Sequence, residues 1–191
     1  MTRLFVLIVL VCGLMAPALL AQPLVRVYPT TETMIEGGAV DLLVLNAGKQ
    51  SFALEIPKNY GTQVRLETSS VLFTSLSNIS LITVQVTTNF PGTLPLSDDL
   101  QAIVAAKFPG ASILQPFPCV TGCGPGRGFD LVRPAADGLT VRLRDAYLSL
   151  PSGSVEFTFT CNGADFDRQR LGFTRLLNSF RLYSENVTNS P

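Results

Sequence analysis

The residues with the most chemical potential lie in one run, Cys119–Val–Thr–Gly–Cys123–Gly–Pro–Gly–Arg–Gly128, with a further thiol downstream at Cys161. A phosphate-cradling loop would need a Lys followed by Ser or Thr at the start of a helix. Here the flanks read as strands, and Pro125 removes an amide donor. The run therefore reads as a glycine-rich hairpin loop closed by a Cys119–Cys123 disulfide. In the strand register set out below, Cys161 aligns with Leu143 and Leu131. The loop meets its strand near Arg127, four residues away from Leu131, or about 13 Å in an extended chain. A disulfide needs Cα atoms within about 7 Å, which leaves Cys161 as a buried free thiol. The competing chemistry is redox or metal work at Cys119 and Cys123. Metal binding would require all three thiolates to converge, and a redox pair is normally activated by a helix N-terminus. No helix is expected to begin at Cys123.

Other side chains exclude more than they offer. The chain has no histidine, so it has no Ser-His-Asp or Cys-His pair, no imidazole base and no His-ligated metal. Asp98–Asp99 reads as helix-start charge and not as an acid–base pair, because adjacent helical residues do not face each other. Arg133, Arg142 and Arg144 form a candidate anion patch, although acids are interleaved among the late arginines. Asn78–Ile–Ser80 and Asn186–Val–Thr188 fit the glycosylation triplet. With 14 basic and 14 acidic residues and no basic stripe, nothing recommends nucleic acid as a partner. No cofactor-binding residues are expected.

The N-terminus says where the protein goes. Arg3 precedes an apolar run from Leu4 to Leu14, then small residues at Ala16, Ala18 and Ala21 ahead of Gln22. This is the layout of a secretory signal peptide, residues 1–21, with cleavage after Ala21 or Ala18. An uncleaved membrane anchor is the alternative, since 17 residues from Leu4 to Leu20 can just span a bilayer. Of these first 21 residues 17 are apolar, which inflates the overall 47%. Cleavage would leave a slightly acidic protein in an oxidising compartment, secreted or periplasmic, with no membrane span.

The remaining chain divides into a partly ordered lead-in (22–38), a single domain (39–183) and a polar tail (184–191). Val40–Leu45 and Ser51–Ile56 read as a hairpin around Asn46–Lys49, and Val71–Leu76 with Ile79–Thr87 as a second strand pair. Ser97 is the expected N-cap of a helix whose face is Leu100, Ile103, Val104 and Phe108, stopped by Pro109–Gly110. The stretch from Phe129 to Cys161 alternates best. Its connections, Ala136–Asp137–Gly138 and Pro151–Ser152–Gly153, both look like three-residue loops with a left-handed glycine last. That register places Leu143 opposite Leu131 and Cys161, Tyr147 opposite Phe157, and Arg144 opposite Asp130. It also leaves Asp145 on the apolar face beside Phe159 and Phe129, as a buried acid or a residue re-aimed by a bulge. A second helix from about Asp165 carries Phe166, Phe173, Leu176, Leu177 and Phe180 on one stripe.

Ser51–Phe–Ala–Leu–Glu–Ile–Pro–Lys–Asn–Tyr60 resembles the early strand and turn common in PsbP-like and DcrB-like proteins. The strand pair Leu139–Leu150 and Ser154–Cys161 is similar to that family's C-terminal half. So is the closing helix, with Phe173, Leu177 and Asn178–Ser–Phe–Arg181. The likeness runs from Ser51 to Arg181, with 61–110 matching only in element order. It implies an α+β fold, an α/β/α sandwich with a central antiparallel sheet of about six strands and helices packed on it. It also implies an exported or lumenal accessory or binding protein without catalysis; members of the photosynthetic branch help retain inorganic ions at a membrane complex. It transfers no site residues, and the Cys119–Cys123 loop is outside the family pattern. The expected function is an exported, non-enzymatic module for an unidentified protein or envelope partner.

Overall fold

The computed structural model describes residues 24–33, 38–77, 79–135 and 138–184. The signal segment, Asn78, Ala136–Asp137 and the Asn186 triplet lie outside them. Among the described residues no helix is long and apolar enough to cross a membrane.

Two antiparallel sheets and two helices make an α+β sandwich. The larger sheet has seven strands in the order β4 (Tyr60–Arg65), β5 (Ser70–Ser75), β6 (Ser80–Thr87), β10 (Gly153–Asn162), β9 (Thr140–Leu150), β8 (Gly124–Pro134) and β7 (Ser112–Thr121). The smaller has four: β1 (Leu24–Thr33), β2 (Ala39–Ala47), β3 (Gln50–Glu55) and the two-residue β11 (Arg181–Leu182). Helix α1 (Ser97–Lys107) and helix α2 (Phe166–Ser179) lie on opposite faces of the larger sheet. Much of what reads as lead-in is thus strand β1, paired with β2 from Leu24 to Thr33.

Alternation builds the main core. Val71, Phe73, Ile82, Val84, Phe157 and Phe159 project from one face of the large sheet onto Leu43, Leu45, Phe52 and Leu54 of the small one. The apolar stripe of α2 fills the space between them, with Phe166, Phe173, Leu176 and Leu177 all buried. Aromatic rings lock the layer. Phe180 packs 5.2 Å from both Phe52 and Phe157, and Phe173 stacks 5.4 Å from Phe159.

On the other face α1 covers only the β8–β9 end, burying Leu100 and Val104 against Phe129, Leu131, Leu143 and Tyr147. Leu96, not Ser97, precedes its first turn, and Ser97 makes no capping bond. Ile103 remains 39% exposed.

Register is as expected between β8 and β9 and different between β9 and β10. Leu131 pairs with Leu143 and Asp130 with Arg144. Gly138, with φ +73°, is the expected left-handed residue of that loop. The next connection holds only Pro151–Ser152, because Gly153 already pairs with Leu150 inside the ladder. A Cβ at Gly153 would drive into the Thr87 carbonyl, so close approach requires the glycine here. The loop is one residue shorter, and every partner along β10 moves by one. Cys161 faces Arg142 and not Leu143, while Tyr147 faces Glu156 and not Phe157.

Candidate functional site

That one-residue difference assembles a polar cluster beneath α1. Asp145 pairs with Phe129 on one side and Thr158 on the other, with no bulge in β9. It is a fully buried acid. Glu156, two rungs away, joins it on the same face. Tyr147 Oη donates to Asp145 Oδ2 at 2.6 Å and lies 3.1 Å from Glu156 Oε1. The Thr158 hydroxyl donates to Asp145 Oδ1 at 2.8 Å. Lys107, the last residue of α1, closes the cluster, with Nζ ion-paired to Glu156 and 3.4 Å from Asp145 Oδ1.

Burial governs the titration of these groups. It pushes Asp145 above the ordinary carboxylate value, against the opposing effects of Lys107, Tyr147 and Thr158. It lowers Lys107, opposed by Asp145. Tyr147 is raised by burial and by the neighbouring Asp145. With Asp145 out of contact with solvent, no reactant reaches it while α1 is in place. The arrangement fastens the C-terminal end of a helix whose own apolar grip is two side chains.

Beyond Lys107 no described element lies across the same face. Gln63, Arg65, Leu72, Thr74, Leu81 and Thr160, from four adjacent strands, line an open concavity of about 530 Å³ walled by Leu139 and Val141. Its floor is apolar between polar side chains, and it adjoins the Thr158 end of the buried cluster.

The expected sites are distributed differently. Cys119, Cys123 and Cys161 are all free thiols, so the Cys119–Cys123 disulfide is not formed. The glycine-rich run is not a loop. Its turn is Gly122–Cys123 alone, and Gly124 onward is strand β8. Cys119 sits across from Gly126, pointing into the core, while Cys123 occupies the turn, where it has no cross-strand partner. Gly126 and Gly128 stay small because the Tyr147 carbonyl and the Phe117 ring press against them. Burial pushes Cys119 and Cys161 up to about 11 and raises Cys123 as well, the reverse of what thiolate chemistry needs. Among the described residues no group of three or more Cys, Asp or Glu is placed to hold a metal ion.

The three arginines do not form one patch. Arg133 is exposed on the α1 face beside Val141. Arg142 and Arg144 project from the opposite face, over the rings of Phe166 and Phe117 at 4.5 and 4.2 Å. Arg144 is already neutralised by Asp130, 2.6 Å from its Nε. Alternation along β9 flanks Leu143 with both, which is why they leave the face that Arg133 occupies.

No protein-family model and no curated protein sequence matches the chain. Solved structures do match it. A single-mutant form of the protein Mog1 overlaps with a TM-score of 0.51 at 11% identity, over 83% of this chain and 97% of its own. The Ran-binding protein Mog1p of Saccharomyces cerevisiae gives 0.50 at 10%, over 82% and 96%. LpqN of Mycobacterium tuberculosis, involved in cell envelope biogenesis, gives 0.47 at 8%, over 83% and 92%. At these identities the likeness is one of fold, and this chain shares the α+β sandwich of the two Mog1 structures.

Proposed function

We propose that this protein is an exported, non-enzymatic binding or accessory module of the PsbP- and DcrB-like kind, and that it holds a protein partner on the half of the large sheet that α1 leaves open. The observation carrying this reading is the concavity over β4, β5, β6 and β10, a sheet face with Leu72 and Leu81 half-exposed and, among the described residues, no element laid across it. Sheet faces in folded proteins are normally covered or wholly polar, and this one is neither. The yeast protein of the same fold is described as Ran-binding, which supports a protein as the partner. The thiol alternative is disfavoured by the burial of Cys119 and Cys161.

Affinity capture of the mature protein from its native envelope tests the reading, run beside a Leu81→Asp variant. A protein retained by the parent and lost with the charged face is the expected result. Retention of every captured protein by the variant would refute it. Fractionation and N-terminal sequencing give the location and the cleavage point, with residues 1–21 expected to be absent.

A further inference from the structure

The four sheet edges are not equivalent. Strand β7 carries Pro116 and Pro118. Its closing pair is Thr121–Gly124 around a two-residue turn, so residues 117, 119 and 121 bond inward to β8, while 116, 118 and 120 turn their backbone outward. Both prolines therefore delete outward-pointing N–H groups. Strand β1 contains Pro29, and β11 is two residues long. Strand β4 has six residues, no proline, and every residue after Tyr60 exposed.

Its phase is fixed from both sides. Leu76 N–H donates to the Asn59 carbonyl and Val86 N–H to the Ser69 carbonyl. Gly61, Gln63 and Arg65 therefore bond inward to β5, and the N–H and C=O of Thr62 and Val64 point away from the sheet. The Tyr60 N–H is spent on the Pro57 carbonyl. Among the described residues these four backbone groups in a row have no partner, a template for an added strand. Charge flanks them. Arg65 faces the concavity, Lys58 stands in the turn before β4, and neither has an ion-pair partner among the described residues. Glu67 lies beyond the strand end, in the 3₁₀ turn.

We propose that β4 is a docking edge, where an extended segment of a protein partner adds as an eighth strand, with a carboxylate side chain set against Arg65 and apolar side chains alongside Val64. This rests on the reading of the adjoining sheet face as the partner surface. Backbone pairing would supply affinity, and Arg65 with the concavity would select the side chains.

The test uses the mature protein and two N-acetylated ten-residue probes, one alternating Val and Glu, the other Val and Lys. The Val–Glu peptide is expected to bind saturably and protect the Thr62 and Val64 amides from hydrogen exchange, with the Val–Lys peptide at least tenfold weaker. Val64→Pro, which removes one outward donor as Pro116 and Pro118 do in β7, should weaken the Val–Glu peptide at least tenfold at unchanged circular dichroism. Arg65→Glu should reverse the preference. Absence of saturable binding, equal binding by Val64→Pro, or protection elsewhere would each overturn the proposal. So would a dimer of the parent that Val64→Pro dissolves, since the edge would then belong to a second copy. In envelope capture, a partner lost by Leu81→Asp and kept by Val64→Pro sinks the edge while sparing the face. A partner kept by both sinks the face as well.

Discussion

The two faces of the seven-stranded sheet are built from the same strands and do opposite things. One is sealed over β5, β6 and β10 by aromatic packing, with the Arg144–Asp130 ion pair towards its β8 side. The other buries two carboxylates, a tyrosine and a lysine stem under a short helix, then opens to solvent within two strands. On the sealed face stability comes from apolar area and shape. On the α1 face fixed charge, costly to bury and specific once buried, is added to the smaller apolar cluster around Leu100 and Val104. The lesson is that a single alternating strand can serve both ends, as β10 does with Phe157 and Phe159 on one side and Glu156 and Thr158 on the other.

The largest break in the comparison is expected from Phe157→Ala. Its ring is fully buried against Phe180, and the cavity should cost about 3–5 kcal/mol in chemical denaturation. Lys107→Ala should cost less, about 1–2 kcal/mol, because the side chain is a third exposed and solvent already screens the pair. Its signature is local: hydrogen exchange should quicken through α1 while the amides of β6 and β10 keep their protection.

Asp145→Asn sharpens the contrast through pH. Burial raises the folded pKa above the unfolded one, so the folded state holds the Asp145 proton more tightly. That contribution is complete below the ordinary value of 3.8 and is lost as pH rises through the raised pKa. The melting temperature of the parent should therefore fall relative to Asp145→Asn as pH climbs from 4 towards neutrality, and a parallel pair of curves would contradict it. Leu139→Ser, at a residue 58% exposed beside the concavity, should move stability by no more than about 0.5 kcal/mol.

Strong periodicity made the sealed face legible. The stripe of α2 and the alternation of Phe157 and Phe159 both lie as their spacing indicates, and the Asp130–Arg144 pair follows from the glycine of the 136–138 loop. The polar cluster was hidden by another glycine. Gly138 is needed for a positive φ and Gly153 for the nearness of Thr87, and the two needs leave the same letter in the sequence. Taking Gly153 as a turn residue slips the register by one and sends Glu156 to the wrong face, away from Asp145. Strand β7 was obscured by its prolines, which mark an edge and look like an interruption. The cysteine run misled for a related reason, since glycines that admit a ring and a carbonyl resemble glycines of a loop.

Strand β10 also sets an order of assembly. It is inserted between β6 and β9, so the early meander β4–β5–β6 and the later meander β7–β8–β9 never touch through a ladder. Each can form as the chain lengthens, but each keeps an unpaired inner margin until residues 153–162 are available to both. The protein is thus joined by one late strand, as two leaves are by a spine. A chain ending at Leu150 would expose two adhesive margins at once, and would aggregate instead of folding to a smaller version of itself.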